Sequence, residues 1–174
     1  MSRKPGNEAA MSNISVLILI GSDSDAPVMQ LAVGMLKELG ISCEMTVASA
    51  HRSPARVHRL LDEAPSRGVK VFIVGAGAAA HLAGMVAAHT TRPVIGIPIA
   101  SGSLQGMDAL LSTAMMPPGI PVATVAIGGA ENAGLLAAQI IAIEDDDLSK
   151  RVVAEREARL RKVLEADAEV SEKF

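Results

Sequence analysis

The chain has 174 residues with a formal net charge of -3, a pI near 5.8 and a mean hydropathy of +0.35. It is 49% hydrophobic yet holds no Trp, no Tyr and two Phe, so its apolar content is aliphatic. That size fits one ordinary domain, the hydropathy excludes a disordered chain, and the charge and missing aromatics argue against binding nucleic acid through phosphates or stacked bases. The single cysteine, Cys43, excludes an internal disulfide and a multi-cysteine metal site.

Charge is unevenly placed. Residues 144–174 hold 10 of the 19 acids and 7 of the 16 bases, whereas Val71–Ala130 carries only Arg92 and Asp108. A small domain exposes much of its surface, so a charge-poor stretch of that length implies burial against a bilayer or against copies of the chain. Val71–Thr91 is long enough to span a membrane, but seven Ala, three Gly and two His keep its hydropathy modest. Self-association is the better reading. The segment 1–13 has no apolar secretory core and reads as a leader, with Met11 an alternative start. A soluble, cytoplasmic protein is expected.

In chain order, Ser15–Ile20 is a continuous aliphatic run, as a strand buried on both faces requires. A helix starts about Pro27 and stops at Leu39 before Gly40. Cys43–Ser49 is a second strand, with Cys43 a small core residue. Ser53 reads as an N-cap with Pro54 at the first helical position, and that helix ends near Gly68. Val69–Val74 is a third strand, followed by a Gly turn and a Gly/Ala-rich helix to His89. Pro93–Pro98, Leu104–Ala114, Ile120–Ile127 and Glu131–Ile143 continue the alternation as strand, helix, strand and helix. Strands alternating with helices give right-handed crossovers and a parallel five-stranded sheet in an α/β domain over 14–143. In 144–174, Asp145, Asp146 and Asp147 favour a helix start. Leu148, Val152, Leu160, Val163 and Leu164 form an apolar stripe that caps the domain or reaches a neighbour.

Ligands of open parallel sheets bind beyond the carboxyl ends of the strands. Polar residues gather there. Gly21-Ser22-Asp23-Ser24-Asp25 reads either as a phosphate and ribose turn or as a plain capping turn. His51 and Arg52 combine a proton-transfer group with a phosphate partner. His81 follows a run of Gly and Ala that lets a ligand approach closely. The Gly75-x-Gly77-x-x-Ala80 pattern lacks the downstream acid of a dinucleotide fold. His58 and His89 read as surface residues. His81 and His89, about 12 Å apart along a helix, do not chelate, so no protein metal site is expected.

These motifs occur in one order. Gly21–Asp25, Ser49-Ala50-His51-Arg52-Ser53-Pro54, Gly75–Met85, Met116-Pro117-Pro118-Gly119 and Asn132–Gln139 together resemble the PurE family of N5-carboxyaminoimidazole ribonucleotide mutases over roughly residues 14–143. The resemblance implies a three-layer flavodoxin-like fold, a homo-octamer with sites at subunit junctions, and action in purine synthesis without biotin, metal or ATP. The implied substrate is a carboxylated aminoimidazole ribonucleotide, with CO2 a trapped intermediate. Matched by motif, His51 corresponds to the general acid/base. Ser22, Asp25 and Arg52 correspond to positions around the ribose phosphate, and Ser49, Gly77 and His81 line the pocket. The chain departs from the family pattern at Ala78 (commonly Gly), Ala83 (commonly Pro) and Met115 (commonly Gln). A related class carboxylates the unmodified ribonucleotide directly; Arg52 and the Ala78–His81 segment favour the mutase. A non-catalytic nucleotide-binding module is the alternative of another class.

Overall fold

The computed structural model of the chain describes residues 13–173. Of the leader expected over 1–13, all but Asn13 lies outside the described residues, as does Met11. The elements run β1 (Val16–Ile20), α1 (Ala26–Glu38), β2 (Cys43–Val47), α2 (Pro54–Glu63), β3 (Val71–Gly77), α3 (Leu82–His89), β4 (Val94–Ile99), α4 (Met107–Ala114), β5 (Ala123–Thr124), α5 (Ala130–Ile141) and α6 (Asp146–Ser171). All strand pairs are parallel and lie in the order β2-β1-β3-β4-β5, the flavodoxin-like winding.

The aliphatic strands divide their side chains by a period of two. Val16, Ile18 and Ile20 face one layer with Ile73, Ile95 and Ile97, and pack on Met29 and Leu36 of α1 and Ala133 and Ala137 of α5. Leu17 and Leu19 face the other layer with Phe72 and Val74, and pack on Val57 and Leu61 of α2 and Leu82 and Val86 of α3. All five residues of β1 are buried, and each such aliphatic side chain contributes about 1.5–3 kcal/mol relative to exposure. Two cores on one sheet produce three layers.

Small residues set the spacing between layers. A Cβ on Gly96 would meet the Thr113 methyl of α4 and, at 2.9 Å, Val122. Within one helix layer, a Cβ on Gly134 of α5 would stand only 3.0 Å from Ala32 O of α1, so the two helices approach as closely as glycine allows.

Several expected boundaries shift: α4 begins at Met107 and not Leu104, β2 ends at Val47 and not Ser49, and three larger shifts have a physical reason. The third strand continues through Gly75, Ala76 and Gly77, because β4 supplies partners as far as Ile99. The second helix stops at Glu63: Pro65 has no N–H to continue it, and a 3₁₀ turn leads to Gly68 at φ 75. The fifth strand shrinks from eight residues to Ala123–Thr124: Pro121 withholds a donor on its amino-terminal side, and after Thr124 the ladder pairing gives way to isolated bonds. Beyond it the chain still bonds to β4, through Val125 N–H to Gly96 O and Gly128 N–H to Pro98 O.

Asp145 caps α6, its Oδ1 accepting from Leu148 N–H at 2.9 Å. Only the start of the expected stripe is buried: Leu148 and Val152 close the α1–α5 core, while Leu160, Val163 and Leu164 stand 57–64% exposed. Among the described residues no helix is long and apolar enough to cross a membrane.

Candidate functional site

The carboxyl ends of β1, β2, β3 and β4 converge on a cleft of about 340 Å³. It lies where the winding reverses direction between β1 and β3, the switch point at which flanking loops part.

After β1, Ser22–Asp25 forms a reciprocal cap. Ser22 N–H donates to Asp25 Oδ2 at 3.0 Å, and Ser22 Oγ accepts from Ser24 N–H at 3.4 Å. The capping reading is therefore realised, and it fixes Asp25 with only 8% of its surface exposed at the cleft. Burial pushes the Asp25 carboxyl above its usual range. The Ser22 N–H, Ser24 and the Arg52 charge oppose that shift in part.

After β2, Ser49 Oγ accepts the Arg52 N–H at 3.2 Å. Ser53 holds the expected N-cap position before Pro54, but its hydroxyl makes no bond to α2; it accepts Ser49 N–H at 3.0 Å and donates to Ser49 O at 3.2 Å. The closed turn aims His51 and Arg52 at the cleft. Arg52 Nη2 crosses to the β1 loop and donates to Gly21 O at 3.0 Å.

After β3, Gly77 leaves the space in which a Cβ would stand 2.7 Å from Ser101 Oγ. Ala78 then adopts φ 53, in the left-handed region that glycine occupies without strain. Its N–H is held by Ser101 Oγ at 3.1 Å, and two tight turns follow, Ala80 N–H to Ala78 O and His81 N–H to Ala79 O. This winding delivers His81 to the cleft. Ala83 sits in the first turn of α3, where proline is also accommodated.

His51 Nε2 and His81 Nδ1 lie 2.8 Å apart, with the rings nearly perpendicular at 87°. One nitrogen carries the proton and the other accepts it, so the pair holds complementary tautomers. A proton taken up by one ring has a partner at hydrogen-bond distance and needs no large side-chain movement.

All seven residues expected from the sequence, Ser22, Asp25, Ser49, His51, Arg52, Gly77 and His81, line this one cleft. Ser101 also lines it and was not among them. Its signal was present, a hydroxyl at the carboxyl end of a strand. A larger cleft of about 640 Å³ opens at the start of β4, between Thr90–Pro93 and Gly119–Pro121. Its lining includes His89 and Arg92 but no second histidine and no carboxylate. Cys43 packs half-buried against the α1–α5 core, and burial raises its thiol, with Lys37 opposing. Among the described residues no three His, Cys, Asp or Glu side chains are grouped to hold a metal.

The family model described as AIR carboxylase matches residues 15–162. A Thermotoga maritima protein named N5-carboxyaminoimidazole ribonucleotide mutase is 50% identical over 148 residues, covering 85% of this chain and 86% of that protein. A Bacillus subtilis protein of the same name is 51% identical over 151 residues, covering 86% and 93%. The crystal structure of Treponema denticola PurE superposes with a TM-score of 0.81 at 32% identity, covering 88% of this chain and 96% of that one.

Proposed function

Since the chain belongs to the AIR carboxylase family, we propose that it is an N5-carboxyaminoimidazole ribonucleotide mutase, with His51 as its proton-transfer group. The observation that carries this reading is the single cleft, in which the His51–His81 pair faces Arg52, Asp25 and Ser22.

Arg52 is the cation for the ribose phosphate, and the buried Asp25 carboxyl accepts from ribose hydroxyls. Protonated His51 gives its proton to the exocyclic nitrogen as the N–C bond breaks and CO2 leaves. The enamine carbon C4 attacks the retained CO2. Neutral His51 then removes the C4 proton, which restores the aromatic ring and the starting protonation state. His81 orients His51 and shares its proton. The backbone and small side chains of Gly77–Ala80 leave room for the imidazole beside the histidines, and confinement keeps CO2 within reach of C4. Every residue of the proposed site lies within the proposed catalytic domain 14–143, and the proposed C-terminal segment 144–174 adds Leu148 and Val152 to its core.

The same reading carries assembly in the cytoplasm as a homo-octamer. Leu104, Met107, Leu111 and Met115, all in the charge-poor segment, are 51–78% exposed in the single chain, which supports cover by further copies.

The deciding assay offers the N5-carboxylated ribonucleotide without ATP, and separately the uncarboxylated one with bicarbonate. C4 product from the first alone is expected; efficient product from the second would make the chain a direct carboxylase, and binding without either reaction a nucleotide-binding module. His51→Asn should lower kcat on the order of 10²–10⁴-fold. Near-normal turnover by that variant would remove His51 from the mechanism.

A further inference from the structure

A second histidine pair lies outside the reaction described above. His58 lies on α2, and Asp62 follows one turn later on the same face. His89 ends α3, about 12 Å along that helix from His81. His58 Nδ1 and His89 Nδ1 are 3.2 Å apart, with ring centroids at 4.8 Å and planes at 67°. The far nitrogen of His89, Nε2, is 2.9 Å from Asp62 Oδ1. All three residues reach solvent.

The spacing fits a chelate. Two imidazole nitrogens bound at about 2.05 Å and a tetrahedral angle stand about 3.3 Å apart, with ring centroids about 5.2 Å apart. The 3.2 Å and 4.8 Å of the His58–His89 pair lie close to both values. At the 2.8 Å of the His51–His81 pair, the angle at a shared ion would close to about 86°, too tight for a tetrahedral centre. Asp62 also stands where a carboxylate stands behind a metal-bound histidine. It accepts a proton-bearing His89 Nε2, which leaves the lone pair on Nδ1, facing His58.

We propose that His58 and His89, with Asp62 orienting His89, bind a divalent transition ion of the zinc, nickel or copper class and clamp α2 to α3. Imidazole suits these ions, and water completes the coordination on the solvent side. As the ion binds, the proton on His58 Nδ1 passes to solvent and Nε2 takes one up, so the imidazole stays neutral with Nδ1 free to bind. The expectation of no metal site paired His89 with His81; the fold pairs it with His58 instead.

The test is calorimetric titration of the full chain with Zn²⁺ alone and Ni²⁺ alone. One ion per chain is expected. His58→Gln or His89→Gln should abolish that binding, and Asp62→Asn should weaken it about tenfold or more. His81→Gln should leave it intact. Circular dichroism of each variant checks that the fold is kept. The proposal is overturned if no ion binds, if binding survives His89→Gln in a folded protein, or if His81→Gln removes it while His58→Gln does not.

Discussion

Ala78→Gly should stabilise the protein, although it removes a methyl group. The left-handed conformation of Ala78, φ 53, is fixed by the Ser101 bond to its N–H and by the tight turns that deliver His81. That conformation costs a residue with a Cβ about 1–2 kcal/mol. Glycine escapes the cost but loses about 0.5–1 kcal/mol more backbone entropy on folding. Ala78 is exposed, so little packing is lost with its methyl. The net gain is about 0.5–1 kcal/mol, or about 1–4 °C in Tm for a chain of this size. Without Trp or Tyr, fluorescence is uninformative. Melting should be followed by far-ultraviolet circular dichroism at one fixed protein concentration, since association shifts Tm. Ala78→Val, with a β-branched side chain at the same φ, should melt below the parent. An Ala78→Gly protein that melts at or below the parent, or an Ala78→Val protein that melts above it, would refute the argument from strain.

Gly77→Ala should behave oppositely to Ala78→Gly. Its Cβ would lie 2.7 Å from Ser101 Oγ and 3.2 Å from Ile99 O, so urea unfolding should show a loss of about 1–3 kcal/mol and kcat/KM should fall as Ser101 is displaced. Asp25→Asn should change the pH dependence of stability. The folded carboxyl titrates above its ordinary 3.8, so the folded state holds the proton that the unfolded state has lost. Stability contributed by protonated Asp25 is therefore full below 3.8 and lost as pH rises through the folded value. Urea midpoints measured from pH 3.5 to 7 should show that loss in the parent and a shallower one in Asp25→Asn.

What could be read from the sequence was governed by distance along the chain. β1, β3 and β4 are legible because burial on both faces leaves unbroken aliphatic runs. β2, an edge strand with half-buried residues, is legible mainly from its place in the alternation. Glycine misled at Gly75–Gly77, read as a turn: Gly75 stays in the strand because it pairs with Ile20 and Ile97, and it is glycine because Met29 of another element fills the space over it. The β5 limits failed because hydropathy registers neither the missing Pro121 donor nor the loss of ladder pairing after Thr124. The strand-end loops of the candidate site stand out as polar interruptions after apolar runs. Ser101 is harder to single out, since its role depends on the Ala78 N–H 23 residues earlier. The His58–His89 pair is invisible in sequence for the same reason, its members being 31 residues apart on separate helices.

The bond from Arg52 to Gly21 O bears on what binding costs. A long cationic side chain ordinarily surrenders rotamer freedom each time it captures an anion. Here one N–H is anchored to the neighbouring loop, which restricts the guanidinium while its remaining donors stay available. Much of that entropy is lost once, at folding, and not at every encounter. Lysine would restore the charge but not the anchored fork. On the proposed role of Arg52, the recognition strength of the cleft is partly set by a hydrogen bond that never touches the ligand.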